Sequence, residues 1–121
     1  MVGKTATVTT VVTEKNTAMA VGSGSLAVFA TPMMVALMEQ AACECLAGKL
    51  AAGDTSVGTQ INVAHLAASN VGAEVSATAT ITAVDGRKIS FNVIAYEGEK
   101  EIGKGTHERF IVGEERFLAR L

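Results

Sequence analysis

From Phe29 to about Ala52 the chain is almost wholly apolar, and the only charged or amide side chains in that run are Glu39, Gln40, Glu44 and Lys49. The pattern predicts one long helix. Thr31 suits the N-cap, where a hydroxyl accepts from an orphan N–H. Pro32 suits the first helical position, where no N–H is needed. Gly53 ends the run. A helix that is apolar on nearly every side is buried.

Past the helix the period changes to two. Val57, Thr59, Ile61, Val63, His65 and Ala67 share one face of a strand. After Gly72, Val75, Ala77, Ala79, Ile81 and Ala83 alternate with Glu74 and a row of Ser and Thr. Asp85-Gly86 signals a hairpin turn. Ile89, Phe91, Val93 and Ala95 form the next inward face, Glu97 to Lys100 turns the chain again, and a last strand runs from about Glu101 to Val112. Before the helix, Thr5 to Val12 and Thr17 to Val21 are rich in Thr and Val and read as strand or edge strand. Gly22 to Ser25 reads as a flexible loop.

Short turns make antiparallel neighbours. A helix apolar on most sides needs a sheet curved around it. The expected fold class is therefore α+β, with an antiparallel β-sheet wrapped around one long central α-helix. The 121 residues form a single domain, 1–121, whose small core favours oligomers.

The net charge of -2 and the scattered Lys and Arg argue against nucleic acid or an anionic membrane as partner. The aromatics, four Phe, one Tyr and no Trp, are too few for a base-stacking platform. The start of the chain resembles no signal peptide, and Glu39, Gln40, Glu44 and Lys49 unsuit the helix to a membrane, so a cytoplasmic location is expected. Cys43 and Cys45 fall about 200° apart on a helix, so they cannot pair, and both read as small core residues. No cluster with metal-ligand spacing exists, since His65 and His107 lie in separate segments.

Three positions carry candidate chemistry. Gln40 and Glu44 share a solvent face, whereas Glu39 lies off it, about 100° and 140° away. Glu39 is either at the edge of the polar stripe or a carboxylate working in a cleft. His65 falls on a core-facing strand position, as a satisfied structural histidine or half of an acid–base pair with Glu39. Thr31 marks a helix start, whose free N–H groups suit a developing oxyanion. Gly58, inside a strand, suggests a bulge or a close approach of backbone to ligand. His107, between Thr106 and Glu108 and near Arg109, reads as part of a charged surface ladder.

Several segments resemble one family. Val28-Phe29-Ala30-Thr31 with Leu37-Met38-Glu39 resembles the helix of hotdog-fold thioesterases, specifically the fluoroacetyl-CoA thioesterase-like group. Val57-Gly58-Thr59, Val63-Ala64-His65 and Ala67-Ala68 resemble its next strand. Val84-Asp85-Gly86-Arg87, Glu101-Ile102-Gly103 and Gly105 to Arg109 resemble its last hairpin. The resemblance implies a hotdog fold and hydrolysis of a small or medium acyl-CoA thioester. It implies catalytic Thr31, Glu39 and His65, and substrate-binding Gly58 and Arg109. It implies no metal, no cofactor beyond the coenzyme A of the substrate, and a homodimer or higher homo-oligomer with sites at the subunit interface. In the fluoroacetyl-specific enzyme the segment before the helix is longer and carries phenylalanines that lid the acyl pocket. Here Ala18 to Ala27 is shorter and holds no Phe, so fluoroacetate selectivity is not implied. The competing expectation is a non-hydrolytic acyl-CoA or acyl-carrier-protein binding module on the same fold. A hydratase ranks lower, because no Asp stands close before His65.

Overall fold

The computed structural model describes all 121 residues. Five strands form one antiparallel sheet: β1 (Thr5–Val11), β2 (Asp54–His65), β3 (Glu74–Asp85), β4 (Lys88–Glu97) and β5 (Lys100–Gly113). Their order across the sheet is β1-β3-β4-β5-β2. Three helices accompany it: α1 (Ala18–Val21), α2 (Thr31–Leu46) and α3 (Glu114–Ala119). The sheet curls around α2. Met34, Leu37, Met38, Ala41, Ala42, Cys45 and Leu46 of α2 meet the inner face of the sheet, where Val75, Ala77, Ala79, Ile81, Ile89, Phe91, Val93, Ala95 and Ile102 are buried. Alternation in β3 and β4 thus does what period two requires. In these two strands Ala83 departs from the expected face, because a bulge between Ile81 and Ala83 shifts the register and leaves it exposed, and in β2 the bulge between Gly58 and Gln60 likewise takes Val57 and Thr59 off the face of Ile61, Val63 and His65.

Several expectations are corrected. The helix ends at Leu46, not near Ala52, because Gly48 takes the left-handed conformation at φ 73° and turns the chain. At its other end Ala30, not Thr31, is the N-cap, and Thr31 and Pro32 are the first two helical residues. The Ala30 carbonyl accepts from Met33 and Met34, which leaves the Thr31 hydroxyl free for another partner. Thr17 to Val21 forms no strand. The Thr17 hydroxyl caps α1 by accepting from the Ala20 N–H, and Gly22 closes it at φ 81°. Capping here outweighs the β-propensity of Thr and Val. Cys45 is buried as expected, but Cys43 is exposed.

Strands β2 and β3 follow one another in sequence but do not pair. β2 lies at the sheet edge against β5, and residues 66–73 carry the chain across to β3. That connection is pinned at both ends. Leu66 and Ala67 N–H groups donate to the Ile102 carbonyl, and Gly72 donates to Val12. In the middle, Ser69 accepts from Phe29, just before α2. One side of β2 therefore has no strand beside it. The turns between β3 and β4 and between β4 and β5 are tight hairpins, as expected. No helix is long and apolar enough to cross a membrane.

Candidate active site

Two clusters lie along α2. At its first turn the Thr31 Oγ1 and the His65 Nδ1 stand 2.7 Å apart. His65 is the last residue of β2, and Phe29 contacts its ring edge-on at 6.5 Å between centroids. Burial pushes the His65 pKa below 6.5, partly offset by a backbone bond at Ala67. Its Nε2 is shut off from solvent and has no partner. A hollow of about 280 Å3 opens beside the pair, lined by Ala18, Val28, Phe29, Leu66 and Ala67 among others.

Two turns further along the helix, Glu39 reaches to the middle of the β2–β5 pair. Its Oε2 accepts from Arg109 Nη1 at 3.1 Å and lies 3.9 Å from His107 Nε2. The carboxylate is half-exposed, with 41% of its side-chain surface open, whereas Arg109 and His107 are buried at 6% and 1%. Arg109 is also fixed by β2: its Nε donates to Ser56 Oγ at 2.9 Å and its Nη2 to the Ser56 carbonyl at 3.1 Å. Gly58 forms the floor. A Cβ there would lie 2.5 Å from Glu39 Oε2 and 3.3 Å from both Arg109 Nη1 and His107 Cε1. The strand bulges between Gly58 and Gln60, so this glycine shows both the bulge and the close approach.

Along the helix Thr31 and Glu39 are about 12 Å apart at 1.5 Å per residue. Within one chain Thr31 and His65 meet each other, Glu39 and Arg109 meet over Gly58, and the two groups do not join. His107 was expected on a charged surface ladder. It is instead a buried member of the Glu39 cluster, because the period of β5 turns Gly105, His107, Arg109 and Ile111 toward the helix. Its signal in the sequence was that shared face. The largest hollow of the molecule, about 730 Å3, lies between α3 and the far end of β5, and none of the five candidate residues lines it. No three or more His, Cys, Asp or Glu side chains gather as a metal site.

One helix inside a curled antiparallel sheet, with Glu39 over the edge strand β2 and Thr31 against the histidine that ends it, places the chain in the hotdog class. Residues 12–115 match the model of the fluoroacetyl-CoA-specific thioesterase, and the chain belongs to that family. It is 46% identical over 94 residues to the fluoroacetyl-CoA thioesterase of Streptantibioticus cattleyicolor, covering 78% of this chain and 68% of that one. Solved structures agree. A variant of the fluoroacetyl-CoA thioesterase FlK bound to fluoroacetate superimposes with a TM-score of 0.92 at 38% identity, over 99% of this chain and 95% of that one. A thioesterase superfamily member from Thermus thermophilus matches with a TM-score of 0.91 at 30% identity, over 99% of this chain and 89% of that one.

Proposed function

We propose that the chain hydrolyses small or medium acyl-CoA thioesters in a site shared between two copies, one giving Glu39 and the other giving Thr31 and His65. The observation that carries this is the separation of the two clusters along the free side of β2. An open, twelve-residue edge strand pairs readily with another strand. Antiparallel pairing of two β2 strands about a two-fold axis at Asn62 keeps the inward faces together and, across the bulge between Gly58 and Gln60, sets Gly58 of one copy opposite His65 of the other. Each Glu39 then faces the second copy's Thr31–His65 pair.

In this reading Glu39 is the reacting carboxylate. It takes a proton from water as the oxygen attacks the thioester carbonyl, or it attacks the carbonyl itself and forms an anhydride that water opens. N–H groups at the α2 start or at the bulge beside Gly58 receive the charge that develops on the carbonyl oxygen. On the water route the proton taken by Glu39 passes through His65 to the thiolate as the carbon–sulfur bond breaks; on the anhydride route the thiolate leaves as the anhydride forms, and the water that opens the anhydride supplies the proton through His65. Thr31 holds the His65 ring. Arg109, four of whose five N–H donors go to Ser56, His107 and Glu39, supports the carboxylate more than it reaches for substrate. In relatives, a variant of FlK has been seen with fluoroacetate and coenzyme A together, which supports an acyl-CoA ligand for this site as well. Ala18 to Ala27 forms the short α1 and its loop, with no aromatic cover, which favours aliphatic acyl chains over a fluoroacetyl-specific pocket.

The test mixes two inactive proteins. Glu39→Gln and His65→Ala are each assayed for thiol release from acetyl-CoA and butyryl-CoA, then unfolded together and refolded. A shared site restores one intact site in each mixed dimer, so about a quarter of wild-type activity returns from the statistical mixture. A mixture as dead as its components overturns the shared site.

A further inference from the structure

His107 is a buried titratable group that the mechanism above does not use, and its surroundings dictate its proton. Its Nδ1 stands 2.7 Å from the Gln60 carbonyl, which can only accept, so Nδ1 carries the hydrogen. Its Nε2 stands 3.2 Å from Arg109 Nη1, which can only donate, so Nε2 is bare. The ring stacks on Phe91 at 5.8 Å, and both side chains are sealed from solvent. The neutral Nδ1–H tautomer is thus the only one that satisfies both partners.

We propose that His107 is a positioning residue for the hydrolysis: its bare Nε2 takes one N–H of Arg109 Nη1 and so aims the other at Glu39. The guanidinium nitrogen sits between the two, 3.2 Å from the histidine and 3.1 Å from the carboxylate. Ser56 clamps the other end of the guanidinium. A half-exposed carboxylate beside a lone arginine is loosely held. With the arginine fixed from three sides, Glu39 has one preferred place, over Gly58. The inference rests on Glu39 being the reacting carboxylate. Preorganisation of this kind governs how often a reacting group is in position, so its loss appears in kcat more than in KM.

Two substitutions separate the roles. His107→Asn keeps a donor toward Gln60 and loses the acceptor toward Arg109. His107→Gln reaches the Nε2 position with a carbonyl oxygen and loses the bond to Gln60. Both forfeit the stack on Phe91, so their melting temperatures fall alike. With acetyl-CoA as probe, His107→Asn lowers kcat about tenfold or more at near-constant KM, and His107→Gln recovers most of it. Equal kcat in the two variants, whether lost together or kept together, overturns the inference. Glu39→Gln is assayed alongside: if it retains full activity, the reading of Glu39 is at fault instead. Nitrogen-15 spectra of the wild-type imidazoles give a check that needs no variant. They show one ring with a bare Nε2 and a protonated Nδ1 near neutral pH, and a protonated Nε2 on His107 overturns the assignment.

Discussion

The Thr31 hydroxyl and the His65 imidazole meet at 2.7 Å although 34 residues separate them in sequence. The meeting depends on where α2 begins. Were Thr31 the N-cap, its oxygen would accept from the helix backbone; because Ala30 holds that place, the hydroxyl is left for His65. Thr31→Ala should therefore release the ring without unfolding the protein. Thr31 is exposed, so stability changes by at most about 1 kcal/mol. The kcat for acyl-CoA hydrolysis falls about tenfold or more as the His65 ring loses its orientation. Thr31→Ser restores most of it. Steady-state kinetics and thermal unfolding on the three proteins decide the matter, and full activity in Thr31→Ala removes Thr31 from the mechanism.

Glu39→Gln keeps size and hydrogen-bonding shape but cannot accept a proton or attack a carbonyl. Its kcat/KM should drop by at least about a hundredfold. The fold tolerates the change, because a half-exposed ion pair contributes about 0–1 kcal/mol. Hydrolysis in oxygen-18 water under single-turnover conditions then sorts the chemistry. Label in the Glu39 carboxylate after one turnover marks an anhydride opened at the Glu39 carbon, whereas label in the product acid alone comes from direct attack by water or from an anhydride opened at the acyl carbon.

Gly58→Ala tests the floor beneath the carboxylate. The new methyl would collide with Glu39 Oε2, the tip of a flexible side chain, so the strand survives and the carboxylate moves. Gly58 is not among the glycines with positive φ, which removes backbone strain from the account. Activity should fall about as far as in Glu39→Gln, with little loss of melting temperature. Wild-type activity in a folded Gly58→Ala protein argues that Glu39 does its work elsewhere.

Both histidines have pKa values pushed below 6.5 by burial. An imidazole whose folded pKa is depressed binds more protons when unfolded. Stability is then complete above pH 6.5, falls as the pH drops through that value, and goes on falling until the folded pKa is reached. Activity that needs neutral His65 stays level through 6.5 and declines only on the acid side of it. Melting curves and kcat/KM profiles between about pH 5 and 8 read both trends. A melting temperature that rises on acidification contradicts the burial of these rings.

Much of this was legible in the chain. The all-apolar run with Glu39 inside it marked the central helix, and the alternation from Val75 to Ile81 and from Ile89 to Ala95 marked the two middle strands with their inward faces. The sheet order was not legible. Strands close in sequence look like hairpin partners, and nothing local says that β2 reaches across to the last strand. The buried side of β5 was missed for a related reason. His107 and Arg109 are polar, and a polar pair reads as surface until the partners that satisfy it, Gln60, Ser56 and Glu39, are in place. The helix end was missed because alanines continue past Gly48, while the turn depends on one residue that adopts a positive φ. The terminal helix α3 gave no signal that was read.

The sheet order has a consequence for how the enzyme comes into being. β2 leaves the ribosome well before β5, the only strand that pairs with it in the finished chain. β3, β4 and β5 follow as successive hairpins and can close on near neighbours, but Gly58 and His65 wait for the C-terminal strand to be made. A chain that stops short of Arg109 lacks more than a tail: it leaves a long strand without a mate and a carboxylate without its anchor. Synthesis to the last strand is thus a built-in checkpoint, since only then does β2 gain its neighbour and Glu39 its bond to Arg109.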